Sequence, residues 1–185
     1  AERFSAAAAE YDEQQDSEEY GACASMVIEA ADPGPDETVL DLGTGTGAIA
    51  LALASQAGRV IGRDISEGML VEARGKAEEA GHENVAFGEG RFREPNVDES
   101  VDVVVSNFAM HHLGDDEKRE AIQVIADLEP RRFVLGDVML SAAIPEGEEA
   151  YSPAVDDPAT VGVLVEALTD AGLTVADATL VSDQY

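Results

Sequence analysis

Val39-Leu40-Asp41-Leu42-Gly43-Thr44-Gly45-Thr46-Gly47-Ala48 decides the reading of this chain, because a short apolar run delivers the backbone into three alternating glycines and then into an alanine-rich helical pattern. That order spells a strand, a tight turn and a helix start. Gly43, Gly45 and Gly47 lack a Cβ, so the turn can take strained dihedrals and let a flat, partly anionic ligand lie against the main chain. The ligand then meets the amide-rich end of the helix. Two nucleotide-type readings fit. Gly43-x-Gly45-x-x-Ala48 satisfies the dinucleotide fingerprint, whereas Gly43-x-Gly45-x-Gly47 is the tighter form that suits a nucleoside held without a pyrophosphate. A glycine-rich turn without a ligand is the third reading.

Downstream, Arg59-Val60-Ile61-Gly62-Arg63-Asp64-Ile65-Ser66 reads as a second strand ending in an acidic residue. It lies about twenty residues past the first glycine, the spacing at which a carboxylate grips ribose hydroxyls beside a glycine loop. With both stretches in hand, the chain resembles a class I S-adenosylmethionine-dependent methyltransferase of the small-molecule type. The family's first motif falls on residues 39–47 and its ribose-binding acid on Asp64. The resemblance runs from the leading helices through a sixth strand.

The 185 residues fall within the range of one domain, and 45% hydrophobic content supplies a core. Acidic residues number 39 against 11 basic, giving a formal charge of -28. A surface of this kind repels itself in ordinary salt and is relieved at high ionic strength, so a salt-adapted cytoplasmic protein is expected. Nucleic acid is excluded as a partner because neutralising phosphates needs a basic patch. The acids are spread along the whole chain, which favours solvated faces over an acidic interaction segment. Cys23 is the only cysteine, so an intramolecular disulfide and a cysteine-built metal site are excluded. There is neither a run of about 18 apolar residues nor a basic-then-apolar leader, so no membrane partner is expected.

The expected architecture is α/β: a doubly wound, mostly parallel Rossmann-like sheet with helices on both faces, in one domain over 1–185. Residues 1–31 read as two helices forming a lid, and 38–138 as the cofactor-binding core. Strands are expected at 38–42, 59–63, 84–88, 101–105 and 132–138, with helices at 46–57, 67–80 and 115–127. Residues 141–157 form a loop long enough to be a substrate rim or a solvated acidic insertion. A helix over 157–171 and an alternating sixth strand over 173–181 complete the pattern. The family closes its sheet with a final antiparallel strand, but only Asp183-Gln184-Tyr185 follow, so that strand is expected to be short or missing, the chain clipped, or the slot filled by something else. An open sheet edge invites association, so monomer and homodimer both stand.

For the site, Asp41 is expected to brace the loop or meet the cofactor's ammonium, and Gly43, Thr44, Gly45 and Gly47 to cradle the methionine and ribose. Asp64 is expected to accept from the ribose hydroxyls, the alternative being a surface carboxylate at a strand end, and Ile65 to offer an apolar face to adenine. The resemblance further implies Tyr11 near the methionine carboxylate, Met69 against adenine, and Asn107 and Phe108 at the methionine end. Where family members show Gly-Asp after strand three, this chain has Gly90-Arg91-Phe92, and arginine cannot accept a hydrogen bond. Adenine is then read by backbone near Arg91 and packed on Phe92, or stacked on Arg91, or its binding is lost. His111 and His112 follow strand four, where the resemblance implies the acceptor side, and His112 is the candidate base or a structural cap of the following turn. No metal is expected, because adjacent histidines rarely face one ion and His82 is remote. The function expected is methyl transfer from S-adenosylmethionine to a small molecule, with a non-catalytic binding or scaffolding protein and an NAD-dependent oxidoreductase as alternatives.

Overall fold

The computed structural model describes residues 17–140 and 156–181. Among them, β1 (Thr38–Leu42), β2 (Arg59–Asp64), β3 (Val85–Glu89), β4 (Val103–Asn107) and β5 (Arg132–Gly136) form one sheet in the order β3-β2-β1-β4-β5. Every pairing is parallel, with Leu40 opposite Ile61 on one side and Val104 on the other. Such a sheet must be covered on both faces, which explains the unbroken burial of Val39, Leu40, Leu42, Val103, Val104 and Val105.

The helices are α1 (Glu18–Ala31), α2 (Ala48–Leu53), α3 (Glu67–Ala80), α4 (Asp115–Asp127) and α5 (Val161–Asp170). Alternation along β1 divides the interior between them. Val39 joins Val60, Val103 and Val105 beneath α1 and α2, through Cys23, Val27, Ile49 and Leu53. Leu40 and Leu42 join Ile61 and Val104 beneath α4 and α5, through Ile122, Ile125 and Leu164. Local signals fix the helix ends. Ser66 caps α3 by accepting from the Met69 amide at 3.3 Å, and Gly81 ends that helix at φ 72°.

Several boundaries differ from expectation. α2 spans 48–53 rather than 46–57, because Gly47 stands at φ 87° in the turn and the chain leaves the helix at Ala54. β4 begins at Val103, so Val101 is a buried residue ahead of the strand. α5 begins at Val161 rather than 157, because Thr160 pairs with Leu140 in a β-bridge and its hydroxyl accepts from the Val163 amide at 3.2 Å. Residues 173–181 form no strand. Their alternation is real, but they pair with no sheet edge and Leu180 is 77% exposed. No helix among the described residues is long and apolar enough to cross a membrane.

Candidate active site

The strand order reverses between β1 and β4, and the carboxyl ends of these strands open the crevice where a doubly wound sheet keeps its ligands. After Leu42 the chain turns through Gly43, Gly45 and Gly47 at φ 73°, 53° and 87°. The need for glycine is steric as well as torsional at the first of these, since a Cβ on Gly43 would stand 2.4 Å from the Cβ of Ala109. The turn is bonded to β2: the amides of Gly43 and Thr44 donate to the Arg63 carbonyl, and the Gly45 amide donates to Asp64 Oδ2 at 2.9 Å. Asp64 Oδ1 accepts from the Ser66 amide at 2.8 Å, so this carboxylate ties the loop to the start of α3.

Asp41 lies beneath the loop, 1% exposed, and accepts from Thr44 Oγ1 at 2.7 Å. Burial pushes its carboxyl up to about 7, and the Asp64 charge adds to the rise against the lowering bonds from Thr44 and the Ala50 amide. Burial also raises Asp64, opposed by the amides of Gly45, Ser66 and Ile65. The charge of Asp64 thus disfavours ionisation of its buried neighbour Asp41.

The end of β4 forms the opposite wall. Asn107 is buried, its Oδ1 accepts the Cys23 thiol at 3.3 Å, and its Nδ2 has no hydrogen-bond partner among the described residues. Burial, with a contribution from Asp137, pushes that thiol up to about 11, so Cys23 is a packing group. Phe108 sits at φ 52°, a conformation bulky residues rarely hold, with its amide donating to Gly136 and its ring 5.3 Å from Tyr20. A short 3-10 turn, Met110–His112, then presents both histidines. His111 Nδ1 lies 2.5 Å from Asp137 Oδ1, and His112 Nδ1 lies 3.0 Å from Asp156 Oδ1. Burial lowers the His111 imidazole, but the bond to Asp137 and the charges of Asp137 and Asp156 outweigh this and raise it overall.

Against known proteins, residues 39–128 match the family described as "Methyltransferase domain". The sheet order and its flanking helices are those of the class I S-adenosylmethionine-dependent methyltransferase fold. The chain is 35% identical over 115 residues to the uncharacterized methyltransferase YcgJ of Bacillus subtilis, covering 60% of this chain and 45% of that protein. It is 33% identical over 147 residues to an arsenite methyltransferase of Halobacterium salinarum, covering 75% of this chain and 37% of the relative. The chain thus spans less than half the length of these two curated relatives. A putative methyltransferase solved in complex with the Haloferax volcanii Trm112 activator superposes with a TM-score of 0.73 at 24% identity, covering 94% of this chain and 77% of that one.

In this crevice Asp41, Gly43, Thr44, Gly45, Gly47 and Asp64 lie together, and Phe92 reaches to 3.7 Å from the place of a Gly43 Cβ. Ile65 is 41% exposed beside them, whereas Met69 is 2% exposed and enclosed by protein. Gly90 is buried and its amide donates to the Asp64 carbonyl. Arg91 is exposed, and its amide and carbonyl are both bonded to Glu94, which leaves that amide no hydrogen for adenine. Tyr11 lies outside the described residues. The premise that adjacent histidines diverge does not hold here: the His111 and His112 rings are 4.1 Å apart and both face Asp156. Sequence reading missed Asp137 and Asp156. Asp137 follows the glycine that ends β5, a strand-end position that mirrors Asp64, and this was its one available signal.

Proposed function

We propose that this domain transfers a methyl group from S-adenosylmethionine to a small-molecule acceptor. The observation that carries the reading is the Asp41 and Asp64 pair beneath a glycine loop whose first Cβ would collide with Ala109. A cofactor bearing a sulfonium and an ammonium favours the ionised form of buried Asp41, which the charge of half-buried Asp64 disfavours, whereas an anionic dinucleotide does not. The residues present therefore fit the group. Asp64, beyond its bonds to Gly45 and Ser66, retains lone pairs for ribose hydroxyls. The unpartnered Asn107 Nδ2 is a donor suited to a carboxylate.

S-adenosylmethionine supplies a methyl group on a neutral leaving thioether, so the protein needs only to bind, align and exclude water. Where the acceptor releases a proton, the histidines at the end of β4 are the groups able to take it, and His112 is the more exposed, at 31% against 12%. The charge of -28 supports work in concentrated salt.

Titration calorimetry in molar salt with S-adenosylmethionine, its demethylated product and NAD tests this. Uptake of the first two and not the third supports the proposal. Preference for NAD points to an oxidoreductase, and binding of none points to a scaffold.

A further inference from the structure

We propose that His111, His112 and Asp156 bind one divalent transition-metal ion. His111 Nε2 lies 3.8 Å and His112 Nδ1 lies 3.0 Å from the same Asp156 oxygen, and the three ligand atoms all lie within 4.8 Å of one another. A tetrahedral ion with ligands about 2.0–2.2 Å away holds its donor atoms roughly 3.3–3.6 Å apart, a spacing that the two separations from Asp156 bracket.

The surroundings are those of a prepared site rather than a chance encounter of side chains. Asp137, its side chain 3% exposed, accepts the His111 amide at 3.0 Å and the Val138 amide at 2.8 Å, and it faces His111 Nδ1 at 2.5 Å. A carboxylate accepts and cannot donate, so Nδ1 carries the proton and Nε2 turns its lone pair toward Asp156. This carboxylate–histidine pairing is the usual support behind a metal-bound imidazole. The segment that carries Asp156 is held in place by bonds that leave the three donor atoms unused. The neighbouring Asp157 amide donates to the His111 carbonyl at 2.7 Å, and the buried Lys118 ammonium bridges the carbonyls of Leu113 and Asp157. Leu140 pairs with this segment through the Ala159 carbonyl at 2.9 Å.

Two imidazoles and one carboxylate suit zinc or cobalt, whereas magnesium and calcium take oxygen sets. Three protein ligands leave a fourth position for water or a heteroatom. The site stands on its own geometry and does not require the methyl-transfer reading.

The test uses untagged, metal-stripped full chain in molar salt with excess magnesium, which occupies the acidic surface. Cobalt(II) titration followed by visible absorption should give an intense tetrahedral band saturating at one equivalent, with zinc displacing it. His112→Ala and Asp156→Asn should each weaken cobalt binding at least tenfold, Asp137→Asn about 10–100-fold, and His82→Ala not at all. Circular dichroism melts confirm that the variants fold, and His112 is exposed enough that its truncation should be tolerated. Absence of a saturable band, or a band unchanged in His112→Ala and Asp156→Asn, overturns the proposal.

Discussion

The Asp64 carboxylate accepts the Gly45 amide at 2.9 Å, so the turn after β1 and the tip of β2 form one hydrogen-bonded unit. The acid that is expected to hold ribose therefore also shapes the loop that cradles the rest of the cofactor. Asp64→Asn keeps the volume and one acceptor but loses the charge that strengthens each of these bonds. Affinity for S-adenosylmethionine should fall about 10–100-fold, in line with roughly 1.5–3 kcal/mol for a hydrogen bond to a charged group. Calorimetry reads this directly, and an unchanged Kd would remove Asp64 from the site.

Gly43→Ala should both destabilise the fold and abolish cofactor uptake. The added methyl meets the Ala109 Cβ at 2.4 Å while φ remains at 73°, so either the loop or the end of β4 must shift. Gly75→Ala is the matched control. That residue lies within α3, and a Cβ there meets nothing within 4 Å, so the variant should gain about 0.5–1 kcal/mol. Denaturant melts of the pair check the prediction through the sign of the difference.

These two glycines also mark what the sequence can and cannot disclose. The loop and Asp64 were legible because a turn motif and the next strand's terminal acid are local patterns, and α3 was legible to the residue because Ser66 and Gly81 punctuate it. α4 at 115–127 was equally plain from its acidic first turn. The alternation over 173–181 misled because alternation records a side-chain pattern, whereas a strand exists only where a neighbour accepts its ladder. The partners of the histidines were hidden for a different reason. His111 meets Asp137 across 26 residues and His112 meets Asp156 from beyond α4 and β5, and neither approach leaves a periodic or spaced signature.

Asp41 gives the domain a pH dependence of definite sign. Its carboxyl titrates near 7 in the folded chain and near 4 when unfolded, so between these values the folded state binds the extra proton. Stability should decline as pH rises from about 4 to 7 and level off above, by an amount on the order of a few kcal/mol at most. Asp41→Asn should flatten this limb. A cationic cofactor favours the ionised form, so S-adenosylmethionine should bind more tightly as pH rises through 7 and release protons as it does so. Calorimetry in two buffers of different ionisation enthalpy measures that release, and zero proton exchange at pH 6.5 would contradict the assignment.

Salt should stabilise the fold, because the surface is dominated by repulsion. Attractive pairs exist, among them Arg59 with Glu99, Arg93 with Glu117 and Glu120, and Arg119 with Glu166, but all are exposed and each is worth little. With 39 acidic residues against 11 basic, most carboxylates have no cation to meet. Screening weakens both kinds of interaction, and the more numerous repulsive terms lose more. The Debye length shrinks from about 10 Å at 0.1 M to about 3 Å at 1 M, so most of the gain should be complete by molar salt. For a chain of this size each kcal/mol recovered raises Tm by about 2–4 °C. Melts in KCl and NaCl should superimpose if screening is the cause, and replacing exposed Glu78 and Glu79 with lysine should raise Tm in low salt while leaving it nearly unchanged in molar salt. A Tm independent of salt would mean that the acidic surface is not a source of strain in the folded chain.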